Sequence, residues 1–515
     1  MRKGPTVLPS TIGESNGIAE RGASGSSTRS FTAGVPRAVY AIAVLAILVR
    51  LIVAGSTHFT SEDYLITLRY AQNLAHGHGL VYNPGERVLG TTTPLYTLFL
   101  AFWERIGLPA TLAGKAINIL ADGGLCVLAY RFLCGIGEER AGIVAAFWIA
   151  VCPLQIQWSI SGMETSLVTC CVMWTWTAFQ ERRSIEAYVA VALLVLLRWD
   201  GILLFAVLTA AFCGRERRFP VREVLLFTLI LLPWLLTAVW YYGNPIPVTA
   251  MAKSTVYGWR ANHAATWLLR TLPGLPKLAQ RFLFNPGYGL LSLLASFGAL
   301  RAWQRRHTAL LPPLLWVGLY WTAFLVSRVL LFPWYLIPPL PIYEAFMAMG
   351  LVSVVEWAQL RSLRLPPLPV TAGLMAMLTI GCAVGAGVMA RGEQGVEERV
   401  RIPLALWIKA HSGAGDYVML EPIGYIGFYS ERPVLDVVGL VTPRVLPFYK
   451  PQNEAPMLEI ARAFRPEWCV LRPGEIDRIR RVANAEGKPW EESYALVQTF
   501  YDTPGSNVYL IYKRR

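Results

Sequence analysis

Residues 56–94 read STHFTSEDYLITLRYAQNLAHGHGLVYNPGERVLGTTTP. They follow directly on an apolar run, 38–55, and form a long, motif-dense polar stretch where most multi-span membrane proteins keep their connections short. The stretch opens with an adjacent acid pair, Glu62 and Asp63, continues as a short amphipathic helix and ends in a Pro/Gly-rich turn. Ionisable groups held at a membrane surface are costly, so such a pair is first of all a candidate for chemistry. Catalysis starting at Asp63 is the expectation that organises the rest of the reading.

The chain has 515 residues, 54% hydrophobic and only 16% charged, with a mean hydropathy of +0.42. That composition describes a polytopic membrane protein rather than a soluble one. The clearest spans are 38–55, 112–134, 221–241, 308–327, 335–358 and 368–390, each near the ~20 apolar residues needed to cross a hydrocarbon core. Many of the 18 tryptophans sit near span ends, as in an interfacial aromatic belt. The net charge of +14 comes from arginines in short clusters between spans, which is a topological signal and excludes a nucleic-acid partner. The eight cysteines lie almost wholly within spans, with Cys469 alone beyond them, so neither a disulfide framework nor a zinc site is expected. Residues 1–35 are Gly/Ser/Thr-rich and are expected to be a disordered cytoplasmic tail. The first span lacks a small-residue cleavage site after it and is expected to be a retained anchor.

Placing Arg182–Arg183, Arg215–Arg222, Arg301–Arg306 and Arg361–Arg364 in the cytoplasm fixes the parity of the spans. Parity holds only if 94–108, which carries Glu104 and Arg105, is an interfacial or re-entrant helix. The result is an α-helical bundle of about eleven spans that includes a short pair, 185–197 and 201–213, joined by RWDG (198–201). The outer loops 56–111, 242–286 and 327–335 then share one compartment with the 157–164 turn. Beyond the membrane domain (36–390), charges return. Short apolar runs at 417–420, 468–471, 494–500 and 508–512 alternate with helical stretches such as 455–464. That pattern is a small α/β domain, 391–515, on the outer face.

Asp63 sits where one carboxylate can take a proton from an acceptor hydroxyl, the single base that attack on a sugar anomeric carbon with a lipid phosphate leaving requires. Capping of helix 64–75 by Glu62 and Asp63 is compatible with that role. Glu164 has two open roles: helix start, or a second acid that binds substrate hydroxyls or a cation. Arg198 and Asp200 are open to an internal ion pair or, for Arg198, to a donor phosphate. Lys253 and Arg328 are isolated cations in aromatic-rich outer loops, suited either to headgroups or to a leaving phosphate. Tyr64, Arg69 and Tyr335 complete the expected substrate- and donor-binding set. His76 and His78 in HGHG read as a helix-ending turn, not a metal site. No Gly-rich nucleotide cradle is present, so the donor is expected to be lipid-linked.

The stretch EDYLITLRYAQNLAHGHGLVYNPGERV (62–88) resembles the first-loop signature of GT-C-type, polyprenyl-phosphate-sugar-dependent glycosyltransferases, and within them the bacterial branch that includes mycobacterial terminal arabinofuranosyltransferases. The resemblance continues through SGMET (161–165), RWDG (198–201), NPIPVTAMAKS (244–254), FPWYLIPPLP (332–341) and GYIGFYSERPVLDVVGLVTP (424–443). It implies a membrane bundle with an outer catalytic loop and a periplasmic C-terminal domain. It implies Asp63 as the base, Glu164 as the second acid, and inverting transfer from a polyprenyl-phosphate sugar, of arabinofuranosyl or mannosyl type, to a glycan or lipid-linked acceptor of the cell envelope. The setting would be a bacterial inner membrane. The chain departs from the family at Leu89, Trp199, Val248 and Trp334. The missing arginine at Trp334 leaves phosphate binding there to another cation, for which Arg328 is a candidate. Tyr425, Tyr429 and Asp436 are open to a role at the site or in folding. Two other classes stay open: a transporter or flippase of lipid-linked sugar, and a non-catalytic assembly factor. The sugar, the acceptor and the need for a divalent cation are not legible; no other cofactor is expected.

Overall fold

The computed structural model describes residues 34–258, 286–327, 332–362, 367–450, 452–503 and 505–515. Nearly all of the expected tail, residues 259–285 of the outer loop and Arg328 lie outside them. The first helix, α1 (Arg37–Thr57), buries Val39, Ala43, Ala46, Arg50, Val53 and Thr57. Alternating steps of four and three residues put these side chains on one stripe. The opposite face leaves Tyr40, Val44, Leu48, Leu51 and Ile52 exposed, as lipid contact requires. The same division marks α10 (Val221–Tyr242), with Leu225, Leu229, Leu232, Leu236 and Val239 outward.

Against α1 pack α4 (Ala110–Gly135), α5 (Glu139–Val151) and α6 (Pro153–Ser159), while α7 (Thr165–Gln180) packs on α4 and α8 (Ser184–Leu197) on α7. Among the described residues, five helices are long and apolar enough to cross a membrane, and a sixth span is formed if α5 and α6, bent by 55° about Cys152–Pro153, count as one. The other segments expected to span are helical but shorter or less apolar, so the count of eleven is an upper reading. One charged pair lies inside the bundle: Arg50 Nε meets Asp122 Oδ2 at 2.5 Å, both fully buried. The rest of the guanidinium donates to the carbonyls of Ile149 (3.0 Å) and Ala150 (2.8 Å). Helices Pro286–Gln304 and Leu340–Leu360 approach so closely that a Cβ on Gly298 would stand 1.8 Å from the Phe346 carbonyl oxygen, and one on Gly350 1.8 Å from that of Leu294.

Between α1 and α4, α2 (Glu62–Ala75) and α3 (Pro94–Arg105) pack on each other. At 12 residues, α3 is roughly 18 Å long and too short to cross a core of about 30 Å. At the far end of the chain, helix Leu368–Val396 runs without interruption through a π-helical turn, Glu397–Arg401, into helix Ile402–His411. The sheet that follows has five strands: β1 (Val418–Leu420), β2 (Val434–Asp436), β3 (Trp468–Leu471), β4 (Tyr494–Phe500) and β5 (Tyr509–Arg514), in the order β2-β1-β3-β5-β4. β1 pairs in parallel with β2 and β3, and β5 antiparallel with β3 and β4.

The first loop is bonded to this domain along its length. Arg69 donates to the carbonyls of Tyr82 (3.1 Å), Gly427 and Arg432 (2.7 Å), and the Tyr82 hydroxyl to that of Ile423 at 2.6 Å. The Asn83 amide exchanges two bonds with the Val434 backbone, at 2.8 and 2.9 Å.

Candidate active site

A cavity of about 310 Å³ opens where these segments meet. Asp63, in the first turn of α2, faces it, with its side chain 31% exposed. Opposite stands Lys253, whose ammonium is 3.7 Å from Asp63 Oδ2. Lys253 belongs to α11 (Thr249–Gly258), which is tied to the first loop where Val248 N–H donates to the Leu89 carbonyl (3.1 Å) and the Thr249 hydroxyl to that of Gly90 (2.9 Å). Its ammonium also lies 4.9 Å from the Phe332 ring centroid and 5.9 Å from that of Trp334, a favourable position for a cation. Burial alone would lower the pKa of Lys253, but the facing Asp63 carboxylate and the Tyr335 phenol reverse this and hold it above its ordinary value.

Arg198 caps α8 in an extended conformation and bonds Asp200 Oδ2 through Nη2 at 2.5 Å. Its guanidinium lies 5.1 Å from the Tyr335 ring centroid and next to the Tyr320 phenol. Nη1 is buried with no hydrogen-bond partner among the described residues. A buried guanidinium donor left open is a place for an anionic oxygen. Asp200 sits in a single 3₁₀ turn, Trp199–Gly201, which needs its glycine because a Cβ on Gly201 would meet Leu194 Cγ at 2.8 Å. Glu164 is buried at the start of α7, within electrostatic reach of Arg198, Asp63 and Asp200. The turn before it rests on Gly162, at φ +87° and with a Cβ position 2.4 Å from the Tyr64 ring. Only glycine suits that site.

Of the expected site residues, the fold therefore brings Asp63, Glu164, Arg198, Asp200, Lys253 and Tyr335 into one cavity. Three others are placed elsewhere. The Glu62 carboxylate turns to the C-terminal domain and accepts the amides of Gly424 and Tyr425 (3.3 Å), with Arg401 at 3.5 Å. Tyr64 packs beneath Gly162 and donates to the Ala110 carbonyl at 3.0 Å. Arg69 spends its guanidinium on the three carbonyls named above. None of the three lines the cavity. Arg328 lies outside the described residues. Asp436 and Tyr425 do not line the cavity either, whereas Leu440, from the loop after β2, does.

Sequence reading passed over the wall Gly90–Thr93, where the Thr91 hydroxyl bonds those of Thr93 (3.3 Å) and Thr97 (3.1 Å). The run TTT in a polar loop was the available signal. It also passed over Phe324, which with Trp199 and Trp334 makes the aromatic side of the cavity. Among the described residues no three His, Cys, Asp or Glu side chains are arranged to hold a metal ion. A larger groove of about 720 Å³ meets helix Leu311–Ser327 at Leu311 and Leu314, the opposite end from Ala323 and Phe324. It has no carboxylate in its lining and is set aside as a site for chemistry.

The same architecture recurs in solved structures. ArnT from Cupriavidus metallidurans, bound to undecaprenyl phosphate, superposes with a TM-score of 0.58 over 92% of this chain and 97% of its own, at 13% identity. The Archaeoglobus fulgidus oligosaccharyltransferase AglB, in complex with an inhibitory peptide and a dolichol-phosphate, gives 0.53 over 92% and 74%, at 12% identity. Both are GT-C glycosyltransferases. The chain has the GT-C fold. Mycobacterial arabinofuranosyltransferase AftD gives a TM-score of 0.46 over 94% of this chain and 40% of its own, at 15% identity, which is too low to favour that branch. Residues 390–512 match a family described as "Domain of unknown function (DUF8728)". Among curated proteins none matches the sequence. In this chain the membrane bundle and the C-terminal domain both contribute residues to the cavity.

Proposed function

We propose that the chain is an inverting glycosyltransferase that moves a sugar from a polyprenyl-phosphate donor to a cell-envelope acceptor at the outer face of a bacterial plasma membrane. One observation carries this reading: a carboxylate, Asp63, faces a buried ammonium, Lys253, in a cavity that Arg198 also lines. The acceptor hydroxyl gives its proton to Asp63 as its oxygen bonds the anomeric carbon. The carbon–oxygen bond to phosphate breaks, and both electrons leave with the lipid phosphate. Arg198 and Lys253 meet the charge that grows there, and Tyr335 supports both cations. Glu164 and Asp200, with the Thr91–Thr93 hydroxyls, bind sugar hydroxyls or a divalent cation. Trp199 and Trp334 offer flat apolar faces to the ring. Undecaprenyl phosphate in ArnT and dolichol-phosphate in AglB support a lipid-linked donor. The acceptor is a glycan or lipid-linked glycan, and the sugar is arabinofuranosyl or mannosyl.

The test is transfer from a panel of undecaprenyl-phosphate monosaccharides to membrane acceptors. Asp63→Asn is expected to cut transfer by roughly 10²–10⁴-fold, the contribution of a positioned base, while undecaprenyl phosphate still binds. Transfer that persists in this variant would move the base to Glu164.

A further inference from the structure

We propose that Glu62 is a positioning residue, the latch through which the C-terminal domain sets the direction of the Asp63 carboxylate. Successive helical residues point roughly 100° apart, so Asp63 faces the cavity only while Glu62 faces the domain. Three consecutive residues before the base are bonded outward. Thr60 N–H donates to Gln394 Oε1 at 3.0 Å, and the Thr60 carbonyl accepts the Tyr425 hydroxyl at 2.8 Å. Ser61 N–H donates to the Ser161 carbonyl at 2.9 Å. The Glu62 carboxylate accepts the Gly424 and Tyr425 amides and faces Arg401, which also pairs with Glu397 at 2.5 Å. The fit is tight on the domain side, since a Cβ on Gly424 would stand 2.2 Å from the Glu62 carbonyl oxygen and 2.6 Å from Oε1. The first turn of α2 thus has its rotation fixed by Ser161 and by residues 334 to 365 positions away, and Asp63 takes its orientation from it. This gives the domain of unknown function a task in the reaction: it holds the base.

The inference rests on the role proposed for Asp63, but its test reads Lys253, which needs no turnover. In the full-length protein in detergent, lysines are reductively methylated and followed by peptide mass spectrometry, with exposed Lys513 as internal standard. Asp63→Asn removes the counter-charge that keeps the Lys253 amine protonated and is expected to speed Lys253 labelling severalfold. Glu62→Gln, and the milder Tyr425→Phe, are expected to speed it severalfold with Lys513 unchanged. In turnover with the accepted donor, both should lower kcat while leaving KM for the donor within a factor of about two, because lost orientation removes transition-state rather than ground-state interaction. Wild-type labelling of Lys253 in both variants would overturn the latch, as would a rise in donor KM with kcat intact. Absence of transfer by the wild-type protein would sink the glycosyltransferase reading and leave the labelling result to judge the latch.

Discussion

Gly90 has no room for a methyl group. A Cβ there would meet the Leu440 carbonyl oxygen at 2.4 Å and the Tyr70 hydroxyl at 2.7 Å, so the first loop and the loop after β2 close the cavity only around a bare Cα. Gly90→Ala is expected to cost about 1–3 kcal/mol through forced overpacking and to lower transfer more than it lowers thermal stability. Melting temperature and initial rate measured on one preparation check this. The Arg50–Asp122 pair follows a different rule. Removing one partner from a fully buried ion pair leaves an uncompensated charge, so Asp122→Ala should cost about 3–5 kcal/mol, whereas the double change Arg50→Met with Asp122→Leu should restore most of it. Thermal unfolding in detergent separates the two, and if the double variant is as unstable as the single one, the pair is not governed by desolvation.

Elements explain what the sequence made legible. Apolar spans and arginine clusters grouped the 56–94 loop, the 157–164 turn and the 327–335 connection, with RWDG at the outer side or within the membrane, and residues of all four line one cavity. β1, β3, β4 and β5 fall on the apolar runs expected for strands. β2 was missed because three residues, Val434–Asp436, carry no readable alternation. The contacts of Glu62 were not legible because its partners come from a domain 339 to 363 residues away, and no local pattern encodes such contacts. Leu440 was missed for the same reason. Helix contacts supply a prediction of their own. Gly298 and Gly350 hold Pro286–Gln304 against Leu340–Leu360 at backbone distance, as small residues do between membrane helices. Gly298→Val or Gly350→Val should separate them and shift the unfolding midpoint down by several degrees. An unchanged midpoint in both would show that the close approach contributes no stability.

For the whole molecule, the membrane bundle and the C-terminal domain share a boundary that runs the length of residues 56–94, and acid should affect the domain through Asp436. That carboxylate is fully buried and accepts the amides of Val438 (2.8 Å) and Val441 (3.1 Å), which shape the loop carrying Leu440. Burial pushes its pKa up to about 6, against the pull of those amides. A folded-state pKa above the unfolded one contributes stability that is complete below about pH 4 and lost as pH rises through 6. The change amounts to at most about 3 kcal/mol, from two pKa units. Asp436→Asn should therefore flatten this component, and the stability difference between wild type and variant should shrink steadily from pH 4 to pH 7. A difference that is constant with pH would show that Asp436 is ionised throughout.

The π-helical turn at Glu397–Arg401 has a consequence for how such chains can be recombined. Upstream, Ala386 and Ala390 pack into the membrane bundle, and downstream Leu404, Ala405 and Ile408 look into the domain. The wider turn holds one residue more than an α-turn, so it advances the angular phase between these two faces by roughly 100°. The helix thus works as a shaft with one extra tooth, meshing two parts that need different orientations. Grafting the domain onto another membrane half would have to conserve that phase as well as the sequence. A single residue inserted or deleted between Ala390 and Leu404 would turn the domain away from the first loop while every residue of both parts stayed intact.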